Sequence, residues 1–281
     1  MDFALWKKRK SDDEIGWDSP WGIGRPGWHI ECTAMVNRYL GTTIDIHSGG
    51  FDLIFPHHEN EIAQSVCANG TPFANYWLHN GFINVNNEKM SKSLGNFFTV
   101  RDIAAKYDYE VIRFFMLSAH YRSPINFSDE LLGQAQNGLE RIDRCIENIE
   151  FSMEGNPGEK DVDLDGYREK FINAMDDDLN TADAISVIFE LVKEINTYLA
   201  EMNESSKKNA LALITELCDV LGISKEKEDT LLDSDIEELI EKRNNARKER
   251  NFALADEIRD SLKEMGIILE DTPQGVKWKR A

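Results

Sequence analysis

The pentapeptide KMSKS, from Lys89 to Ser93, places two lysines and two serines in one short segment. A lysine ammonium carries three hydrogen-bond donors on a flexible stem, and small hydroxylated neighbours let the backbone approach an anion. The segment indicates a loop that binds a polyphosphate, with a solvated turn between Val85 and Phe97 as the alternative. Around it, short apolar runs alternate with glycine-rich turns and helical patterns, which predicts an α/β domain.

Further segments surround this motif. They read GWHIEC, DIHSGG, FPHHENEIAQ, KMSKSLGNFFTVRDI, AMDDDLNTADAI and GIILEDTPQGVKWKR, at residues 27–32, 45–50, 55–64, 89–103, 174–185 and 266–280. Together they resemble cysteinyl-tRNA synthetase, a family of class I aminoacyl-tRNA synthetases, over essentially all 281 residues. The resemblance implies a partial class I Rossmann-type α/β catalytic domain, then an all-α helical bundle and a small α+β anticodon-binding domain.

The N-terminus departs from the family pattern. Family members are much longer there, and their first strand supplies a zinc-binding Cys and the HIGH-type motif that packs against ATP phosphates. Met1 is followed here by DFALWKKRK, and neither feature precedes Trp28. We therefore expect a truncated or naturally shortened chain, comprising the second half of the catalytic domain and all that follows, and inactive on its own.

Composition bounds the class of protein. With 281 residues and 41% hydrophobic content, the chain can bury a core and divide into several domains. It has no apolar run long enough to cross a bilayer and no secretory signal, so we expect a cytoplasmic protein without membrane contact. The net charge of −19 argues against general nucleic-acid binding, although local basic clusters permit binding of one specific RNA.

Hydrophobic periodicity divides the chain into three predicted parts. They are residues 1–127 with the KMSKS loop and a stem-contact region, residues 128–222, and residues 223–281. Helical stripes in the second part predict a bundle. The stripes comprise Leu131, Leu132, Ala135, Leu139, Ile142, Ile146 and Ile149; Ile185, Ile188, Leu191, Val192, Ile195 and Leu199; and Leu211, Ile214, Leu217, Cys218 and Leu221.

The third part begins with an acidic linker at 225–235. Ile236, Leu239 and Ile240 predict one helix, and Phe252, Ala255, Ile258 and Leu262 predict another. Gly266 is expected to cap the second helix. A hairpin of 267–269 with 276–278 should follow.

A metal site is predicted near Pro56. His57 and Glu61 are four residues apart, so both project from one face if the segment is helical. Cys32 could complete a three-ligand site with an open position, as in a catalytic zinc centre; a solvated helix start and a core cysteine are the alternatives. The irregular spacing of the four cysteines favours free thiols over a disulfide framework.

The resemblance implies that Cys32, His57 and Glu61 are ligands of one zinc ion per subunit, which binds the thiolate of the substrate. A thiolate is a far better zinc ligand than a serine hydroxyl, so coordination alone would select cysteine. His29 and His58 are expected to pack beside the ligands rather than to coordinate the metal.

The resemblance also implies substrate contacts. The expected residues are Trp28, as an aromatic wall of the amino-acid pocket, and Asp45, His47, Gly49, Gly50 and Asp52 beside the nucleotide and amino acid. The DIHSGG segment itself predicts a strand that enters a glycine turn, where backbone amides can approach a ligand; a plain βα turn would read the same way. Lys89 and Lys92 resemble catalytic lysines that stabilise the transition state at the α-phosphate of ATP, with Mg²⁺ sharing that charge and Lys92 binding ATP.

At the C-terminus, Arg247, Phe252, Asp256 and Asp271 align with family residues that read the tRNA anticodon. Their side chains can form hydrogen bonds with base edges or stack on a base, although a solvated arginine and a core phenylalanine would give the same sequence pattern. The function implied is a monomeric cysteine–tRNA ligase with cysteine tRNA, L-cysteine and ATP as partners. A non-catalytic tRNA-binding fragment is one alternative, and a ligase that joins cysteine to an amino-sugar inositol is another.

Overall fold

The structure, a computed structural model, describes residues 3–90, 95–223, 232–249, 251–272 and 275–280. The chain forms two compact units, Met1–Gly138 with Ile172–Ile185 and Leu139–Phe171 with Ser186–Ala281. Among the described residues, no helix is both long and apolar enough to span a bilayer. The three-part division near residues 127 and 222 stays a prediction.

Strands and short helices alternate through the first unit, as the sequence predicts. In chain order they are β1 (Trp6–Lys8), β2 (Gly24–Pro26), α1 (Trp28–Tyr39), β3 (Ile44–Gly50), α2 (Glu59–Asn69), β4 (Ala74–Asn80), β5 (Ile83–Val85), β6 (Glu88–Lys89), α3 (Val100–Ala104), α4 (Tyr109–Leu117) and β7 (Ile125–Phe127).

The site is built on a parallel strand pair. β3 pairs in parallel with β4, and α2 is the crossover between them. The carboxyl ends of the two strands therefore meet at one edge, where open α/β sheets bind ligands. A second small sheet has the order β6-β5-β7, with β5 parallel to β7 and antiparallel to β6.

Helices follow β7. They are α5 (Asp129–Met153), α6 (Asp165–Asp176), α7 (Thr181–Tyr198) and α8 (Glu204–Leu221). The predicted apolar stripes are largely confirmed: Leu132, Leu139 and Ile142 of α5 are buried, as are the stripe positions of α7 up to Ile195. α6 has no counterpart among the predictions, because Phe171 is its only buried residue.

The last part has its own core. α9 (Leu232–Lys248) and α10 (Phe252–Glu264) are followed by β8 (Ile267–Thr272) and β9 (Gly275–Arg280), which form the predicted antiparallel hairpin. The core comprises Ile236, Ile240, Ile258, Leu262 and Ile267, with Leu239, Leu269, Val276 and Trp278 packed against it.

Two details of this part refine the predictions. Gly266 has φ +78°, which confirms the predicted left-handed position after α10. Residues 232–235 are helical rather than linker, while 225–231 lie outside the described residues.

A capping box anchors the chain downstream of the KMSKS motif. The Thr99 hydroxyl accepts the N–H of Asp102 at 3.2 Å, and the Asp102 carboxylate accepts the N–H of Thr99 at 2.8 Å. The first N–H groups of a helix have no intrahelical acceptor, so this exchange fixes the start of α3.

We predict that Thr99→Ala destabilises α3 by about 0.5–2 kcal/mol, because the cap acceptor is lost. Thr99→Ser retains the hydroxyl and should behave like the natural chain. The measurement is amide hydrogen exchange over Val100–Ala104, where each 1.4 kcal/mol corresponds to about tenfold faster exchange. Equal exchange in the Ala and Ser variants would show that the cap contributes nothing.

Candidate functional site

The turn after β3 places His57 opposite Glu61. A 3₁₀ turn at Phe51–Leu53 leads into a wider helical turn at Ile54–His58, and α2 begins directly afterwards. His57 thus precedes α2, yet its Nε2 lies 3.0 Å from Glu61 Oε1. The predicted one-turn spacing of this pair is therefore realised.

Three predicted metal ligands converge in this region. The ligand atoms of Cys32, His57 and Glu61 all lie within 4.8 Å of one another. Cys32 comes from α1 and is half-buried, whereas His57 and Glu61 are buried. A thiol, an imidazole and a carboxylate in this arrangement are the donor set of a zinc site with room for a further ligand.

The Glu61 carboxylate shows that a cation fits. Its side chain is 0% exposed, and Oε1 has no hydrogen-bond partner among the described residues although His57 Nε2 is 3.0 Å away. The two atoms are therefore close without a hydrogen bond between them, as when two acceptor atoms face a common third point. A buried carboxylate oxygen without a partner is costly, and a cation held by these atoms removes the cost.

Histidines surround the ligand set. Nδ1 of His29 lies 2.8 Å from Nδ1 of His57, and His47 Nε2 lies 2.9 Å from Glu61 Oε2. Contacts of this kind orient a ligating ring and carboxylate. His58 Nδ1 contacts His79 Nε2 at 2.7 Å, and the ligand atoms of His47, His58 and Glu61 form a second group within 4.8 Å.

Burial favours the neutral form of three imidazoles of this cluster. It lowers the pKa of His58 to about 4 and lowers the pKa of His29 and of His79 below its ordinary value. Burial and the nearby Glu61 raise the pKa of the Cys32 thiol. Burial also favours neutral Glu61, but its hydrogen bond with His47 and the neighbouring imidazoles outweigh that effect, so the pKa of this carboxyl is lowered.

Gly49 lies where β3 meets the histidines. A Cβ atom there would be 2.9 Å from both His58 Cε1 and Leu53 Cδ1, so only glycine allows this approach. A Cβ atom on Gly50 would be 2.5 Å from Asp52 Oδ1. The prediction that these glycines form a turn is wrong: both belong to β3, and the chain turns only after Gly50.

The other predicted substrate-binding residues lie on α1 and along β3. The Trp28 ring centroid is 4.1 Å from that of His57, and the side chain is 52% exposed, so the ring packs on the imidazole and keeps a solvent-exposed side. Asp45, His47 and Gly49 alternate along β3 and share one face, with Asp45 exposed. His79 was missed from the sequence; it lies beside Gly49 in the register of β3 with β4.

The predicted catalytic lysines are only partly described. Lys89 ends β6, and its side chain lies outside the described part of the structure. Lys92 belongs to residues 91–94, which also lie outside it.

The predicted anticodon residues lie in the last part of the chain. Arg247 is exposed in the last turn of α9, and Phe252 and Asp256 are exposed one turn apart on α10. Phe252 is 61% exposed, so it is not a core residue. Asp271 is on β8, opposite Val276, and its side chain is not in the part of the structure that is described.

Comparison with known proteins first defines the class. Residues 1–137 match the family model of the tRNA synthetases class I (C) catalytic domain, 170–225 the DALR domain, and 229–278 the cysteinyl-tRNA ligase anticodon binding domain. The crystal structure of the agnB2 LeuRS–tRNA–LeuAMS complex of Agrobacterium radiobacter K84 is similar in fold, with TM-score 0.55 and 16% identity. That match covers 76% of this chain and 31% of the LeuRS.

The particular family follows from closer relatives. The chain is 61% identical to the cysteine–tRNA ligase of Clostridioides difficile strain 630 and 59% identical to that of Shouchella clausii. Each match covers 100% of this chain and 62% of the relative. The chain therefore belongs to the cysteinyl-tRNA synthetase family, and it spans about 62% of the length of these relatives.

We predict that Gly49→Ala destabilises the first unit by about 1–3 kcal/mol, because the new methyl group displaces His58 or Leu53. Gly133→Ala is the matched control: its Cβ atom meets nothing within 4 Å in α5, so it should stabilise by about 0.5–1 kcal/mol. Urea unfolding followed by tryptophan fluorescence measures both, since five of the six tryptophans precede residue 78. A neutral Gly49→Ala would contradict the close approach.

Proposed function

We propose that this chain is the cysteine-recognising and tRNA-binding portion of a cysteine–tRNA ligase, acting in the cytoplasm as a monomer. The complete protein would join the carboxylate of cysteine to the α-phosphate of ATP, releasing pyrophosphate, and then transfer the cysteinyl group from this adenylate to its tRNA, releasing AMP. The observation that carries this proposal is the convergence of Cys32, His57 and Glu61 at the carboxyl edge of a parallel strand pair.

In this proposal Cys32, His57 and Glu61 hold a zinc ion, whose chemistry is to bind the substrate thiolate in preference to a hydroxyl. His29 and His47 orient His57 and Glu61 through the contacts at 2.8 and 2.9 Å. Trp28 closes one side of the amino-acid pocket. Selection between cysteine and serine then needs no separate editing site.

ATP is assigned to the neighbouring surface. Asp45, His47, Gly49 and Gly50 along β3, together with Asp52 in the turn that follows, would border the nucleotide and the amino acid. Lys89 and Lys92, with Mg²⁺, would stabilise the charge that develops on the phosphates. No side chain acts as a covalent nucleophile, because the attacking group is the substrate carboxylate.

The alternatives differ at the C-terminus. An amino-sugar inositol ligase has no use for the anticodon-type part formed by α9, α10 and the hairpin, so the family match at residues 229–278 favours a tRNA substrate. A non-catalytic tRNA-binding role would keep RNA affinity without selection for cysteine. The next two measurements separate these possibilities.

We predict that Cys32→Ala weakens zinc binding at least tenfold, because it removes one of the converging ligands. Cys67→Ala is the control, since Cys67 is an exposed free thiol on α2 outside the ligand group. A chelator competition titration measures both. Equal zinc affinity of the two variants would remove Cys32 from the ligand set. With Co²⁺ in place of zinc, L-cysteine but not L-serine should change the metal spectrum.

We predict that Arg247→Ala weakens binding of cysteine tRNA by about 1–3 kcal/mol and reduces discrimination against an anticodon-swapped tRNA, as expected for direct readout of a base. Lys263→Ala, which removes an exposed cation of α10, should weaken both RNAs alike. Filter binding at fixed ionic strength gives the comparison. Equal affinity of the natural chain for the two RNAs would defeat the anticodon assignment.

A further inference from the structure

The turn between α6 and α7 belongs to the first compact unit. Residues 172–185 form one unit with residues 1–138, although 170–225 match the DALR domain and 1–137 match the catalytic domain. The turn lies in the segment AMDDDLNTADAI, which contributes no residue to the metal cluster. A piece of the helical part is thus built into the unit that carries this cluster.

The backbone of this turn has an uncommon conformation. Asp178 and Leu179 both have positive φ, +58° and +56°. Aspartate tolerates the left-handed region better than most residues, whereas leucine rarely adopts it. The turn closes back on α6, since the N–H of Leu179 donates to Met175 O at 3.0 Å and that of Asn180 donates to Ala174 O at 3.2 Å. Such a conformation persists only where neighbouring contacts determine it.

Those contacts come from the end of α4 and the loop between α4 and β7. Tyr121 OH donates to Asp178 Oδ1 at 2.8 Å, and Arg122 Nε donates to Asp178 Oδ2 at 2.5 Å. The Thr181 hydroxyl donates to Leu117 O at 2.7 Å. The hydrogen bonds from Arg122 and Tyr121 lower the pKa of Asp178, so they favour its ionised form. Both carboxylate oxygens of Asp178 therefore hold the loop.

The same loop holds the junction between β4 and β5. The N–H of Gly81 donates to Tyr121 O at 2.8 Å, and the N–H of Ile125 donates to Phe82 O at 3.0 Å. A Cβ atom on Gly81 would clash with the backbone of Ser123, so the loop and the junction are in direct backbone contact. The position of the loop therefore determines the position of the junction.

Two segments of the site meet at this junction. His79, two residues before Gly81, has its Nε2 2.7 Å from Nδ1 of His58 in the metal cluster. On the other side, β5 pairs with β6, which ends at Lys89, the first residue of the KMSKS motif. Gly81 thus lies between the strand that reaches the cluster and the β5–β6 hairpin that leads to KMSKS.

We propose that Asp178 is a positioning residue, which fixes the loop of residues 118–124 against Gly81 and so sets the placement of the β5–β6 hairpin relative to the metal cluster. The carboxylate of a bound amino acid must approach the α-phosphate of ATP to about 3–3.5 Å, so this placement affects the reaction. The assignment rests on the proposed function for the reaction that it serves, whereas the contact between Asp178 and the loop does not.

A general stabilising role explains the arrangement less well. The side chains of Arg122 and Asp178 are 54% and 41% exposed, and ion pairs with this exposure contribute little to the stability of a fold. The left-handed turn adds a cost of its own. A carboxylate that engages two adjacent side chains does fix the direction of the loop, which is the property that a positioning residue needs.

The test compares three substitutions in the turn. Asp178→Gly removes the carboxylate and keeps the turn, because glycine adopts positive φ readily. Asp178→Asn tolerates the same φ and keeps an acceptor for Tyr121 OH. Leu179→Gly is the matched control, since it also places a glycine at a left-handed position but leaves the carboxylate in place.

The first measurement is amide hydrogen exchange of Gly81 by NMR, with the amides of Phe114 and Phe115 in the buried part of α4 as the reference. Asp178→Gly should accelerate exchange of Gly81 at least about tenfold and leave the reference unchanged, because the loss of two hydrogen bonds frees the loop. Asp178→Asn and Leu179→Gly should stay within about threefold of the natural chain.

The second measurement follows the site itself. With Co²⁺ in place of zinc, the change of the metal spectrum on addition of L-cysteine gives an apparent affinity. Asp178→Gly should weaken this affinity at least about threefold, because the displaced junction moves His79 beside the cluster. Asp178→Asn should restore it.

Each outcome decides the assignment. Unchanged exchange of Gly81 in Asp178→Gly would overturn it, and so would equal acceleration of Gly81 and the reference amides, which indicates a loss of stability alone. Faster exchange of Gly81 with unaltered cysteine affinity would overturn the link to the site. A natural chain whose Co²⁺ spectrum ignores L-cysteine would count against the proposed function, while the exchange of Gly81 would still decide whether Asp178 holds the junction.

Discussion

The buried carboxylate of Glu61 is the group on which the arrangement of the site depends. A negative charge with no solvent exposure must be compensated by its neighbours, and here His47 and His57 approach its two oxygens at 2.9 and 3.0 Å. His29 in turn contacts His57, and Gly49 leaves room for His58 beside them. The compensation is incomplete at Oε1. A polar cluster of this kind holds its geometry through contacts to one anion rather than through apolar packing.

The thiols show how position decides chemistry. Burial raises the pKa of Cys145 to about 11 and of Cys218 to about 12, and both lie in the helical part as ordinary core residues. Cys32 is less buried and faces Glu61, an arrangement that makes a free thiolate unfavourable and a metal-bound one favourable. The same residue type is therefore inert in one part of the chain and a candidate ligand in another.

Local patterns in the sequence predicted much of this architecture. The apolar stripes identified α5, α7 and α8. The four-residue spacing predicted that His57 and Glu61 lie close together, and they do, although His57 precedes α2. Features set by long-range register were missed: His79 joins the cluster only because β4 lies beside β3. The prediction of a turn at Gly49 and Gly50 was wrong because the sequence alone does not distinguish a glycine that leaves room for a neighbouring ring from a glycine in a turn. The site roles of these residues stay predictions.

Charge is distributed unevenly in a chain whose net charge is −19. In the helical part, several cations are paired with carboxylates: Arg168 with Glu216, Lys170 with Glu190 and Lys208 with Glu204. On α10, Arg259 and Lys263 are exposed, and within the described residues neither forms an ion pair. A polyanion that approached the paired cations would have to break their ion pairs, whereas it could contact Arg259 and Lys263 directly. The acidic excess therefore disfavours binding of nucleic acid to most of the surface, whereas α10 carries two exposed cations that no carboxylate of the described residues neutralises.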